Sequence, residues 1–285
     1  MLQSPFYLDY FGLHQRPFTL VPDPEFLYWS PQHRRGFSVL EFGVLSQAPI
    51  TLLTGEIGAG KTTLLQKLLG QMENDVTIGV VSNAQGNRGE LLQWVLNALD
   101  VPIETGTTYV QNFQKLQDFL VAEYAGGKRV ILVFDEAQNI SREGLEELRM
   151  LTNINSNKDE LLQLILVGQP ELREMVRHPS MNQLAQRVAA SFHLERMNKD
   201  TTRAYVRHRM RTAGGTGDEF TADACELVHK STGGVPRLVN QLCDFSLLYC
   251  WSEEAGKSID KVMIQSVLDD GVFFCAKNIE EEAEA

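Results

Sequence analysis

The stretch GEIGAGKTT, residues 55–63, sets Gly55, Gly60, Lys61 and Thr62 in the spacing G-x-x-x-x-G-K-T, between the apolar run ITLLT and the amphipathic LLQKLL. That spacing suits a phosphate cradle. Glycines let backbone N–H groups turn inward with no Cβ in the way. The helix that follows adds its own free N–H groups and positive dipole end. Lys61 is then expected on the β- and γ-phosphates of a nucleotide, with the Thr62 hydroxyl on Mg²⁺. The whole loop, Gly55, Glu56, Ile57, Gly58, Ala59, Gly60, Lys61, Thr62 and Thr63, is the expected contact set for ATP.

The second half of such a site is read in VILVFDEAQN, an apolar run closed by Asp135 and Glu136. A carboxylate at a strand's carboxyl end can hold Mg²⁺, and Asp135 is placed in that role opposite Thr62. Glu136 is expected to polarise the water that attacks the γ-phosphate, as a general base. An acidic strand-to-helix junction has the same appearance, but beside the phosphate loop the catalytic reading is preferred. The expectation is an ATPase that uses ATP and Mg²⁺.

Three further residues have both a chemical and a plain reading. Gln169, in LLQLILVGQPEL, either orients the attacking water or simply precedes Pro170 in a turn. Arg187, in QLAQRVAASF, is either a solvated arginine or an arginine finger offered to a neighbouring copy. Arg237, in TGGVPRLVNQL, follows a Gly-Gly hinge and either senses the γ-phosphate or lies on the surface. Tyr28, His33 and Arg34 lie in an upstream aromatic and proline-rich stretch that suits an adenine pocket or an apolar tether equally.

These residues need a scaffold that brings strand ends to one edge. ITLLT (50–54), VTIGVVS (76–82), VILVF (130–134), LLQLILV (161–167) and AASFHLE (189–195) read as five strands, the first four nearly continuous in apolar or β-branched residues. Such runs are buried on both faces. Helical patterns at 61–71, 88–99, 109–124 and 141–151 alternate with them, which implies a parallel sheet covered by helices. Ser30 and Pro31 open a helix ahead of the first strand. From Asn198 the strands stop and four helical patterns follow, read as a lid. The expected organisation is an N-terminal, adenine-side segment at 1–49, a P-loop core at 50–197, a helical lid at 198–272 and a disordered acidic tail at 273–285.

The 285-residue chain carries a net charge of −11, which disfavours strong nucleic-acid binding. Its four cysteines form no C-x-x-C pair and read as core fillers. No apolar run approaches the about 20 residues that span a bilayer, and no signal peptide is evident. A cytoplasmic protein without a transmembrane segment is expected.

In order along roughly residues 5–270, FGLHQRPFTLVPDPEFLYWSPQHRRGF, GEIGAGKTTLLQKLL, VILVFDEAQNIS, LRMLTNINSNKDELLQLILVGQPELRE, LAQRVAASFHLERM and GGVPRLVNQLCD resemble the AAA+ ATPases of the general secretion pathway protein A family. The resemblance implies an α/β P-loop fold with a five-stranded parallel sheet of order 5-1-4-3-2 and a C-terminal helical lid. It implies the same roles for Lys61, Thr62, Asp135 and Glu136, with Gln169 and Arg237 as sensors and Arg187 as finger. It also implies a nucleotide-dependent homo-oligomer that serves membrane-associated secretion, pilus or polysaccharide-export proteins, meeting the inner membrane through a partner. The chain ends without the membrane helix and peptidoglycan-binding module of the secretin-assembling members, so a short stand-alone form is expected. The alternative is a DNA-transaction ATPase similar to transposition-target regulators.

Overall fold

Three apolar strands in the middle of one sheet set the architecture. In chain order the strands are β1 (Ile50–Gly55), β2 (Val76–Ser82), β3 (Arg129–Asp135), β4 (Leu162–Gly168) and β5 (Val188–Leu194). A computed structural model of the chain describes residues 7–72, 75–82, 89–156 and 159–273. Every residue of β1 and β4 is buried, as are the inner five of β3, whereas β2 and β5 mix buried with exposed positions. Side chains on both faces of a central parallel strand leave water, while an edge strand keeps one side wet.

The sheet runs β2-β3-β4-β1-β5, all parallel. This is the order 5-1-4-3-2 read from the other edge. Two strands of two residues, at 155–156 and 159–160, pair with each other outside this sheet and had no counterpart in the sequence reading. Counting them renumbers the order without moving a strand.

The helices are α1 (Tyr7–Phe11), α2 (Pro31–Leu45), α3 (Lys61–Leu69), α4 (Glu90–Ala98), α5 (Tyr109–Ala125), α6 (Arg142–Leu151), α7 (Pro170–Arg177), α8 (Asn182–Ala185), α9 (Lys199–Thr212), α10 (Ala222–Thr232), α11 (Pro236–Ser252) and α12 (Lys261–Asp269). Caps fix several starts. Thr108 and Gln111 form a reciprocal capping box on α5, and the Ser141, Asn198, Thr221 and Asp260 side chains accept from the first turns of α6, α9, α10 and α12. Sequence reading missed α7 and α8. Each is short, and Pro170 and Pro179 bracket the first, so neither builds a long periodic pattern.

The chain divides into two compact units. One comprises residues 32–55 and 64–194 and contains the sheet. Its core joins Ile50, Leu132, Phe134, Leu164 and Leu166 of the strands to Leu92, Leu96, Leu116, Leu120, Leu145 and Leu148 of the helices. The other takes in the described residues of 1–31, 56–63 and 195–285. Its core joins Tyr7, Phe11, Phe18 and Phe26 of the N-terminal stretch to Tyr205, Met210, Val228, Leu242 and Ile264 of the C-terminal helices.

A buried cation ties this second unit together. Arg209 is 6% exposed; its guanidinium lies over the Phe26 ring at 4.4 Å and donates to the Pro17 carbonyl and, at 3.4 Å, to the Thr19 hydroxyl. Nearby, Tyr205 donates to Asn240 at 2.8 Å, and Asn240 donates to the Thr19 carbonyl at 3.0 Å. Tyr7 and Arg16 both donate to Asp244 on α11. Cys225, Cys243 and Cys250 are buried free thiols, and burial pushes the Cys225 thiol up to about 11. Cys275 and the acidic tail from 274 onward lie outside the described residues. Among the described residues no helix is long and apolar enough to cross a membrane.

Candidate functional site

The phosphate-loop segment leaves the sheet at Gly55, the last residue of β1, and the helix α3 begins at Lys61. Between them the chain turns on itself: the Ala59 N–H donates to the Glu56 carbonyl at 3.1 Å, and Gly58 and Gly60 take φ of +77° and +96°. That left-handed backbone is nearly free for glycine and costs other residues roughly 1–2 kcal/mol. Lys61 is 6% exposed, and its Nζ donates to the Glu56 carbonyl at 2.9 Å, so the ammonium lies over its own loop. Arg196 donates to Glu56 Oε1 at 3.3 Å. Thr62 and Thr63 are half-buried in the first turn of α3, and the Ile57 side chain is exposed.

Arg237 belongs to the same unit as this loop. Its backbone N–H donates to the Gly58 carbonyl at 3.3 Å. A Cβ on Gly58 would fall 2.5 Å from the Arg237 Cβ. Sequence reading placed Arg237 near phosphate through its side chain. It had no signal for this backbone contact, nor for why Gly58, a variable position of the motif, is glycine.

The acidic residues stand in the sheet unit. Register pairs Thr54 of β1 with Gly168 of β4, and Phe134 of β3 with Leu166 of β4. The carboxyl ends of these three strands therefore share one edge, where Asp135 closes β3 and Gln169 follows β4. The Glu136 N–H donates to Asp135 Oδ1 at 3.0 Å. Glu136 itself has left-handed backbone, φ 55° and ψ 38°, at the start of the short 3-10 turn Ala137–Asn139. For a non-glycine residue such a conformation is uncommon, and cases cluster at functional sites.

Gln169 and Glu136 are brought together: the Gln169 Nε2 donates to Glu136 Oε2 at 3.1 Å. Gln138 joins them, with Nε2 donating to the same Oε2 at 2.6 Å and Oε1 accepting the Gln169 N–H at 3.1 Å. The sequence reading gave Gln138 no role, because spacing alone does not give a side-chain direction in a one-turn element.

Arg187 stands elsewhere in that unit. It precedes β5, whose Val188 pairs with Ile50 at the amino end of β1, so it lies at the sheet edge opposite Glu136. Its guanidinium donates to the Thr152 carbonyl at 3.1 Å and hydroxyl at 3.2 Å and to Asn153, and pairs with Glu160 at 3.8 Å. Burial raises the Glu160 carboxyl above its usual range, and the Arg187 charge partly opposes that rise.

Taken unit by unit, the donor types suit the nucleotide and metal that the sequence suggests. Gly58 and Gly60 build a tight loop of backbone amides, and Thr62 and Asp135 offer oxygen, which a hard divalent cation prefers.

Comparison with known proteins agrees with this fold. Residues 44–176 match the AAA domain family model. A five-stranded parallel sheet, a phosphate loop after its first strand and this match define an AAA+ protein of the P-loop class. General secretion pathway protein A of Aeromonas hydrophila is 35% identical over 273 residues, 94% of this chain and 50% of that protein. The chain is thus an AAA+ relative of general secretion pathway protein A, and spans about half the length of that curated protein. The Mu-like prophage FluMu DNA transposition protein B of Haemophilus influenzae is 25% identical over 242 residues, 82% of this chain and 76% of that protein. Among solved structures, Cdc6p from Pyrobaculum aerophilum superposes with a TM-score of 0.65 at 17% identity, covering 84% of this chain and 68% of that one. That likeness concerns the fold.

Proposed function

We propose that this chain binds ATP with Mg²⁺ and hydrolyses it to ADP and phosphate. In this reading the N–H groups of residues 55–63 and Lys61 hold the phosphates, and Thr62 and Asp135 hold the metal. Bound Mg²⁺ would offset negative charge on the phosphate oxygens. Glu136 accepts a proton from water as the water oxygen attacks the γ-phosphorus and the bond to the bridging oxygen breaks. Gln169 helps to orient that carboxylate and the water. Arg237 reports nucleotide state from the first turn of α11, and Arg187 acts on the site of a neighbouring copy in a homo-oligomer.

One observation supports hydrolysis above mere binding: the Glu136 carboxylate, on a left-handed backbone, is held by two amide side chains at the carboxyl edge of the sheet. The test is steady-state phosphate release by wild type and Glu136→Gln. Wild type should be faster by orders of magnitude, with ATP affinity retained in the variant; equal rates would refute an ATPase.

The client is proposed from kinship with general secretion pathway protein A. The hydrolysis cycle would drive assembly, or switch the state, of a bacterial secretion, pilus or polysaccharide-export apparatus, from the cytoplasmic side of the inner membrane through a partner. Affinity capture from native membranes with Glu136→Gln and ATP should recover envelope-export components. A second reading, a DNA-transaction ATPase, draws on the relative named as a DNA transposition protein. Against it stands the net charge of −11. Duplex binding with a steep salt dependence would favour it.

A further inference from the structure

Gln138 closes a ring of three hydrogen bonds around the candidate base. Its Nε2 donates to Glu136 Oε2 at 2.6 Å, its Oε1 accepts the Gln169 N–H at 3.1 Å, and the Gln169 Nε2 returns to the same Glu136 oxygen at 3.1 Å. Only one orientation of the Gln138 amide satisfies both of its bonds, since its nitrogen has no lone pair to offer the Gln169 N–H. The ring thus joins the turn after β3 to the start of α7.

Room for this amide comes from Gly168. A Cβ there would lie 2.9 Å from Gln138 Oε1 and 2.7 Å from Leu172 Cδ2. A side chain at the end of β4 would crowd the Gln138 amide and Leu172, so one or both would have to shift. A glycine at this place, a left-handed Glu136 and a closed ring are three separate features that serve one carboxylate orientation.

We propose that Gln138 is a positioning residue for the hydrolytic step, holding the Glu136 carboxylate plane and the Gln169 amide in one fixed relation. It touches neither nucleotide nor water in this account; it acts through Glu136 and Gln169. The proposal rests on the ATPase reading above. Preorganisation of this kind matters because a displacement of about 1 Å in a reacting group can cost on the order of 100-fold in rate.

The experiment compares wild type, Gln138→Met and Gln138→Glu. Methionine keeps the volume and removes both hydrogen bonds, so kcat should fall roughly 10- to 100-fold with KM and calorimetric ATP affinity unchanged. In a Glu136→Gln background the same substitution should leave the residual rate unaltered, because its effect passes through Glu136. Gln138→Glu places like charges together at neutral pH and should be nearly inactive. Its activity should then rise relative to wild type as pH falls, since a protonated carboxyl both donates to Glu136 and accepts from Gln169. A wild-type kcat in Gln138→Met, an equal loss of kcat and affinity, or a further loss in the Glu136→Gln background would each overturn the proposal. A wild-type rate no higher than that of Glu136→Gln would sink the ATPase reading itself and this inference with it.

Discussion

The backbone N–H of Arg237 donates to the carbonyl of Gly58 at 3.3 Å, so the first turn of α11 and the tip of the phosphate loop share a hydrogen bond. A side chain at position 58 would meet two penalties at once. Backbone φ of +77° disfavours any Cβ, and that Cβ would sit 2.5 Å from the Cβ of Arg237. Gly106 separates the two effects, because it has φ of +85° and open space around it. Gly106→Ala should cost about 1–2 kcal/mol from backbone strain alone. Gly58→Ala should cost more, and should weaken ATP binding in calorimetry. Equal thermal shifts with unchanged ATP affinity would mean that the Arg237 contact is incidental.

Arg187 lies at the opposite edge of the sheet from Glu136 within its own unit, held by Thr152, Asn153 and Glu160. A finger in that position acts on another protomer or not at all. Arg187→Ala and Glu136→Gln should each be nearly inactive alone, whereas their mixture should exceed the sum of the separate rates. In the mixture, an intact Glu136 meets a neighbour's intact Arg187. Phosphate release measured across mixing ratios gives the answer, and a strictly additive mixture would remove Arg187 from the reaction.

Acid should loosen the unit that holds the C-terminal helices. His208 packs on the Tyr28 ring at 5.4 Å, and its buried Nε2 has no hydrogen-bond partner among the described residues. Burial first, and the Arg209 charge second, lower its pKa below the ordinary 6.5, although a hydrogen bond with the Leu27 backbone opposes this. His229 is lowered too, by burial and then by Lys199. A depressed histidine binds its proton more readily in the unfolded chain. The stability it lends is therefore present above the ordinary value and lost as pH falls through it towards the folded one. Tm should drop as pH goes from about 7.5 to 5.5, a window that straddles the ordinary imidazole value. His208→Phe, which keeps a ring against Tyr28, should flatten that drop, and identical slopes would clear His208 of the effect.

Much of this was legible in sequence because it depends on local patterns. Uninterrupted apolar runs mark strands buried on both faces, and β1, β3 and β4 are such strands. By contrast β2, read the same way, is an edge strand with Val80 exposed, because a run of apolar residues does not say which strand ends the sheet. The G-x-x-x-x-G-K-T spacing puts Lys61 and Thr62 at the start of α3, and the DE pair after an apolar run puts Asp135 at the end of β3 and Glu136 just after it, by chain position alone. What stayed hidden depends on side-chain direction and on contacts distant in sequence. Gln138 looks like any polar residue two places after Glu136 until its amide is seen between Glu136 and Gln169. Gly58 looks dispensable until Arg237, far along the chain, is found against it. Arg209 sits in a strongly charged helix, KDTTRAYVRHRMRT, where nothing distinguishes the buried arginine from the exposed ones.

That buried arginine makes the last prediction. Arg209 reaches three groups of the N-terminal stretch: the Pro17 carbonyl, the Thr19 hydroxyl and the Phe26 ring. Lysine carries the same charge but cannot reproduce a planar fork that stacks and donates sideways at once. Arg209→Lys should therefore lose much of what Arg209→Met loses, roughly 2–4 kcal/mol from a charged hydrogen bond, a cation–π contact and acceptors left without a donor. The damage should be local before it is global. Amides of residues 18–27 should exchange hydrogen faster in both variants, while those of the β1 and β4 strands keep their protection under native conditions. A lysine variant as stable as wild type would show that charge alone suffices at this position. Uniform acceleration across the strands would show that Arg209 supports the whole molecule rather than the anchoring of residues 17–26.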